Sequence, residues 1–311
     1  MTARQRLIAG LLGALSWMAL PALAWNASGH RLIAGIAWET MTPAARAEAG
    51  HLLREHPDAE RWQRRAPEDD SDRHLFIAAA TWPDEIRKDK RFYSPEDEEP
   101  TPTLEGFPHM RRHSEWHYEA RPFEGSRRDA PALPRRTGQI GEALGQVTDT
   151  LGNRQASSIE RRYALPWLIH PAGDAHQPLH LSLRLDSAGR WDKLGSAVQV
   201  IVPDARKPKT SLHAFWDDLG GPPGLHGEAL DAGVRQLMVD YPKNGANARA
   251  PFDRWLDESW QLARQSAYPP DPDDSPTLDD AFLAHCRAIA TRRIAEAGYR
   301  LGTLLNRLLG H

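Results

Sequence analysis

Apolar residues recur at helical spacing over most of this chain. From Gly29 to Trp38 they fall three and four apart, which predicts an amphipathic helix. Thr42-Pro43 predicts a second start, with threonine as N-cap and proline in the first turn. Leu75 to Ile86 reads as a third helix that Pro83 must bend or restart, because proline cannot donate to the carbonyl four residues back. Thr137 to Leu151 and Ile159 to Ile169 read as helical. Leu278 to Leu309 carries a long core-helix pattern through Phe282, Ile289, Leu301, Leu304, Leu305 and Leu308. Strand signals are sparse. Ala197 to Val202, between Gly195 and Pro203, is the best of them and predicts one small hairpin. Residues 94–108 hold four prolines and the acidic run Glu96 to Glu99, and residues 121–136 are rich in proline and arginine; both predict loops. Gly220 to Gly227 and Pro269 to Pro276 predict two more. No repeat or composition break divides the chain, so the expected fold is mainly α, a single domain with a small β-hairpin.

One run is dense in possible metal ligands: His170-Pro-Ala-Gly-Asp-Ala-His-Gln-Pro-Leu-His180. A lone histidine is most often a hydrogen-bonded core or surface residue. This run is not alone, because His213 and Asp217 repeat the His-x-x-x-Asp spacing of His170 and Asp174. Residues four apart share one helix face and can hold one ion. His180 stands roughly 15 Å from His170 on an ideal helix, which is too far for the same ion and predicts more than one metal. Pro178 should stop or kink the helix near Gln177 and turn His180 aside, and Pro171 predicts a kink at His170. Elsewhere, Asp84 and Arg87 lie one turn apart, and Glu115-Trp-His-Tyr118 sets a histidine among aromatic rings. Alone, these would be a surface pair and core packing.

The N-terminus reads as a secretory signal peptide. Arg4 and Arg6 form its charged end, Leu7 to Leu20 its apolar stretch, and Ala22-Leu23-Ala24 its cleavage site. The stretch is short for a membrane span. The domain division is therefore residues 1–24 as signal peptide and 25–311 as one catalytic domain, exported to a periplasm or secreted. Cleavage would leave Trp25 with a free α-amino group, which can chelate a metal together with its own carbonyl, and His30 lies close in sequence. The formal charge of −3 becomes more negative once Arg4 and Arg6 are removed, so no global field recruits nucleic acid. The single cysteine, Cys286, excludes an internal disulfide.

Together, Trp25-x4-His30, Asp84-x2-Arg87, Trp116-His117-Tyr118, His170-x3-Asp174, His176-Gln-Pro-Leu-His180 and His213-x3-Asp217 resemble the S1/P1 nuclease family of zinc-dependent secreted nucleases. The resemblance runs in order through the mature chain and includes Trp255 to Ala263 and Gly298 to Asn306. It implies the helical fold shared by P1 nuclease and phospholipase C, and three zinc ions. One would be held by Asp84, His117, His170 and Asp174. A second would be held by the Trp25 amine and carbonyl, His30 and a bridging Asp174. The third would be held by His180, His213 and Asp217, with His176 not a ligand. Three zincs and three aspartates leave the cleft net positive. The implied reaction is hydrolysis of single-stranded DNA and RNA, and of 3′-nucleotides, to 5′-phosphate products. Asp84 would orient the attacking water, Arg87 would neutralise phosphoryl charge, and Tyr118 would stack a base. The resemblance implies a monomer with no membrane and no stable protein partner.

Two positions depart from the family pattern. Ala120 stands where Asp or Asn often reads a base edge, and Leu194-Gly195-Ser196 replaces a glycine-asparagine stretch. A zinc-dependent phospholipase C is the nearest alternative, and the short Trp25 to His30 spacing and Asp217 favour the nuclease. A non-catalytic zinc-binding protein is a further alternative, against which Arg87 and Tyr118 count because neither helps to hold metal.

Overall fold

The computed structural model describes residues 25–64, 71–122, 132–133, 137–245 and 247–310. The expected signal peptide and most of the 121–136 loop lie outside them. Eleven α-helices are present among the described residues: α1 Ala27–Thr40, α2 Pro43–Arg54, α3 Ala59–Gln63, α4 Ser71–Ala79, α5 Trp82–Glu85, α6 Ile140–Gly152, α7 Ser158–Asp174, α8 Leu212–Asp218, α9 Gly227–Asp240, α10 Phe252–Leu262 and α11 Asp280–Leu309. Strand pairing is slight. β1 (Arg121–Pro122) pairs with β2 (Ser182–Leu183) in parallel, and β3 (Gln199–Ile201) pairs with β4 (Lys209–Ser211) as an antiparallel hairpin. The fold is thus mainly α with a small hairpin; the β1–β2 ladder was not expected. Among the described residues no helix is long and apolar enough to cross a membrane.

Local chemistry explains most boundaries. Thr42 accepts from the Ala45 amide and Pro43 sits in the first turn, as the sequence predicts for α2. The pattern from Leu75 to Ile86 divides at Ala80-Thr81, and Pro83 falls in the first turn of α5, where its missing donor costs nothing. The helix expected from Thr137 begins only at Ile140, because Gly138 takes a left-handed φ of 81° and bridges to Glu119. Asp279 caps α11 by accepting from the Phe282 amide.

α7 is the central element. From Tyr163 to Asp174 every residue is buried, so the helix has no polar face. A capping box starts it: Ser157 Oγ accepts from Glu160 N at 3.2 Å, and Glu160 accepts from Ser157 N at 2.9 Å. The helix continues through both Pro166 and Pro171 and ends at Asp174, three residues before Gln177. The prolines do not interrupt the helical assignment. A proline inside a helix costs about 3 kcal/mol, and burial on every side of α7 holds the helical course against that cost.

α11 and α1 lie side by side and run in the same direction. A Cβ on Gly298 would stand 2.6 Å from Ile36 Cβ, and one on Gly302 would stand 2.8 Å from the Ala37 carbonyl. Asn306 then donates to the Thr40 carbonyl at 2.9 Å and accepts from the Thr42 amide at 2.6 Å, closing the junction of α1 and α2. Gly298→Ala should therefore destabilise the protein by about 1–2 kcal/mol, the overpacking cost exceeding the gain in helix propensity. Gly145→Ala in α6 is the control, since nothing lies within 4 Å of the added Cβ, and it should be neutral or stabilising. Denaturant midpoints check both; a stabilised Gly298→Ala variant would contradict the close α1–α11 approach.

Candidate metal centre

The end of α7 delivers His170 and Asp174 one turn apart on one face. His170 Nδ1 donates to the Ala80 carbonyl at 2.7 Å, in the break between α4 and α5. Its Nε2 is left 3.3 Å from Asp174 Oδ2 and 3.8 Å from Asp84 Oδ1. His117, on the 3-10 turn Ser114–His117, brings Nδ1 within 3.0 Å of Asp174 Oδ2 and 3.8 Å of Asp84 Oδ1. From α1, His30 stacks on His170 with ring centres 3.9 Å apart and sets Nε2 3.3 Å from Asp174 Oδ1. The two oxygens of Asp174 thus face different histidines: Oδ2 faces His117 and His170, and Oδ1 faces His30. His30, His170 and Asp174 can close on one ion, and Asp84, His117 and His170 on another.

A second group forms where the chain turns after α7. Gln177 accepts from the Leu179 amide, and the 3-10 turn Pro178–Leu181 swings His180 away from the helix axis. His180 Nδ1 donates to the His117 carbonyl at 2.6 Å. His213 Nδ1, on α8, donates to the Leu194 carbonyl at 2.7 Å, and its Nε2 lies 3.5 Å from Asp217 Oδ2. The rings of His180 and His213 stack at 5.1 Å, and these two with Asp217 can hold one ion.

Three of these histidines thus spend Nδ1 on a backbone carbonyl and aim Nε2 at a carboxylate or a neighbouring imidazole, the orientation that metal-binding imidazoles adopt. His176 differs. Its Nδ1 donates to the Ala172 carbonyl, but its Nε2 meets Arg300 Nη1 at 2.8 Å, so a cation donor already occupies the position a metal would need.

The electrostatics favour a bound cation. On the faces turned toward these groups, His30 Nε2, Asp174 Oδ1 and Asp217 Oδ2 are buried without a hydrogen-bond partner, a concentration that a folded protein does not normally tolerate. Burial opposes ionisation of Asp174, but His170, His117 and His30 hold its carboxyl well below the usual range. Burial also opposes charge on His170, which Asp174 and Asp84 nevertheless raise to about 9. His117 is pushed down to about 4 by burial, and His30 is lowered by burial and by the charge on His170. Burial, together with Asp84 and Asp174, pushes the Asp217 carboxyl well above normal. A divalent cation would replace the proton on His170 and stabilise the Asp217 carboxylate, so the residues present fit metal.

The remaining residues flank this centre. Arg87 Nη1 lies 3.4 Å from Asp84 Oδ1. These two retain 13% and 19% exposure, whereas His117, His170 and Asp174 retain none, so the pair group opens to solvent on its Asp84–Arg87 side. Tyr118 is half-buried against Ala120, Leu183 and Leu194, beside Trp191. Trp25 is buried, and its ring donates to the Gly173 carbonyl at 3.2 Å. The Asn26 amide donates to the Asp217 carbonyl at 3.0 Å, and the Asn26 side chain caps α1. The start of the described chain is thereby fastened between the segments that carry Asp174 and Asp217.

Sequence reasoning missed several supporting residues. Gln177 donates to Asp217 Oδ1 at 2.8 Å. Gly173 clears His30, since a Cβ there would lie 2.8 Å from His30 Nδ1. Asp192, buried with its carboxyl pushed up to about 6, organises the loop that reaches His213. Gln177 and Gly173 stand inside the ligand-rich run and could have been flagged by position; Asp192 gave no local signal.

Comparison with known proteins agrees with this geometry. A family model described as S1/P1 Nuclease matches residues 25–310. Endonuclease 3 of Arabidopsis thaliana is 26% identical over 308 residues, covering 92% of this chain and 90% of its own length. Endonuclease 2 of the same plant is 27% identical over 187 residues, with 55% and 61% covered. The match spans both groups of buried histidines and aspartates, and the chain belongs to the S1/P1 nuclease family.

Proposed function

We propose that this protein is a zinc-dependent endonuclease that hydrolyses single-stranded DNA and RNA to 5′-phosphate products and also acts on 3′-nucleotides. The observation that carries the reading is the pair of buried His/Asp groups with unpartnered ligand atoms, opening to solvent beside Arg87. Asp84, His117, His170 and Asp174 would hold one zinc. Trp25 and His30, with Asp174 as bridge, would hold a second, and His180, His213 and Asp217 a third. When bound, the ions supply Lewis-acid charge to phosphoryl oxygens and acidify a water.

The chain's own residues supply the rest. Arg87 faces the open side with its fork of donors and neutralises charge on the non-bridging phosphoryl oxygens. Asp84, held by Arg87 and facing His117 and His170, orients the attacking water and accepts its hydrogen bond. Tyr118 follows His117 directly and offers a ring on which an unstacked base can lie, which favours single strands over duplex. Export fits the reading. Removal of residues 1–24 would free the Trp25 amine, and the bonds from Trp25 to Gly173 and from Asn26 to Asp217 would hold that terminus near Asp174.

Incubation with denatured DNA, duplex DNA, RNA and 3′-AMP tests the reading. Single-stranded substrates should be degraded, a chelator should abolish this, and zinc should restore it. Degradation that persists in chelator, or release of phosphocholine from lecithin with DNA untouched, would overturn it. Asp174→Asn, which weakens the shared ligand of the pair, should lower turnover by at least about 100-fold and reduce bound zinc. Unchanged turnover with three zincs per chain would contradict the bridge. A protein carrying one extra residue ahead of Trp25 should lose most activity and one zinc, because a peptide nitrogen cannot replace the amine. Full activity and full metal content there would refute the chelate.

A further inference from the structure

The loop from Asp192 to Gly195 is held in an unfavourable shape. Lys193, Leu194 and Gly195 take left-handed φ values of 54°, 59° and 80° in succession. Each non-glycine residue there costs about 1–2 kcal/mol, so the loop persists only if its surroundings fix it. The buried Asp192 carboxylate does much of this. Its Oδ1 accepts from the Arg184 amide at 3.0 Å, and its Oδ2 accepts from the Gly195 amide at 3.2 Å and from the Tyr268 hydroxyl. The held shape delivers two carbonyls to His213: Leu194 takes its Nδ1–H at 2.7 Å, and Gly195 takes its backbone amide at 3.3 Å. His213 Nε2 is thereby committed to the Asp217 side.

Tyr268 joins the rest of that group. Its hydroxyl lies 3.3 Å from Ser182 Oγ, two residues after His180. It follows a π-helical turn, Ala263–Ala267, and the Ala267 carbonyl accepts from Trp216 Nε1 at 3.0 Å, next to Asp217. One short segment therefore braces the chain beside His180, His213 and Asp217, and none of these hydrogen bonds reaches His30, Asp84, His170 or Asp174.

We propose that Asp192 and Tyr268 are positioning residues that set the metal affinity of the His180–His213–Asp217 group separately from that of the pair. The inference rests on the three-metal reading above. Asn at 192 has one acceptor oxygen where the carboxylate has two, so one of the Arg184 and Gly195 amides would face an NH2 group. Phe at 268 removes only the hydroxyl.

The experiment is zinc content against graded chelator, by elemental analysis, on wild type, Asp192→Asn, Tyr268→Phe, His213→Ala and the double variant Asp192→Asn/His213→Ala. Asp192→Asn should lose one zinc at a free concentration that saturates wild type, and regain it at roughly 10–100-fold more zinc. Tyr268→Phe should shift the same ion in the same direction by less, and it decides the matter if Asp192→Asn does not fold. The double variant should bind the remaining zincs as tightly as His213→Ala alone. Wild-type affinity for every ion in both single variants, or weaker pair binding in the double variant than in His213→Ala, overturns the proposal. A wild-type protein holding fewer than three zincs instead sinks the three-metal reading, and the proposal with it.

Discussion

Everything around the centre depends on keeping the Asp174 carboxylate ionised inside the core. The group is fully buried at the end of a helix with no polar face. An isolated charge there would be costly, and the protein meets the cost with three imidazoles from three separate elements: His30 on α1, His117 on a 3-10 turn and His170 on α7 itself. Imidazole is a poor permanent counter-charge, because burial drives it toward the neutral form; only His170 is raised, and only because two carboxylates face it. A bound cation would settle the arrangement better than a proton. α1, which carries His30, is in turn packed closely against α11 at Gly298 and Gly302.

A helical scaffold creates a second constraint. A histidine that offers Nε2 is best oriented by an acceptor for its Nδ1–H, and carbonyls within a helix are already used. The acceptors found here come from interruptions: Ala80 in the break between α4 and α5, His117 at the end of a 3-10 turn, and Leu194 in a left-handed loop. These irregular pieces therefore serve the geometry of the site rather than merely linking helices. The π-helical turn after α10 does similar work by pointing the Ala267 carbonyl at Trp216.

This explains what could be read from the sequence. Helices α1, α2, α6, α7 and α11, the divided α4–α5 pattern, the hairpin and the His-x-x-x-Asp pairs were legible because periodicity fixes which residues share a face, whereas α3, α9 and α10 were not read from the sequence. The division between His170 and His180 was legible because Pro178 cannot continue a helix, and in the structure it opens the 3-10 turn that carries His180. The persistence of α7 through Pro171 was not, since burial on all sides decides it and burial is a property of the assembled fold. Nor was the role of Asp192, whose partners Arg184, Gly195 and Tyr268 include one 76 residues away. The β1–β2 ladder escaped notice because two-residue strands carry no periodicity.

The two positions that depart from the family pattern turn out to be neighbours. Ala120 and Leu194 pack in one small cluster with Leu183, against Tyr118 and Trp191, separate from the main core. Glycine would satisfy φ at 194 without strain, so a leucine there needs compensation. Its side chain is only 7% exposed, and burying it is worth about 1.5–3 kcal/mol, comparable to or larger than the backbone cost. That burial requires an apolar surface opposite. Alanine at 120 provides one, whereas Asp or Asn would set a polar group against the leucine and need a hydrogen-bond partner there. Ala120 and Leu194 therefore form one apolar wall beside Tyr118, and Asp192 holds the loop that carries Leu194.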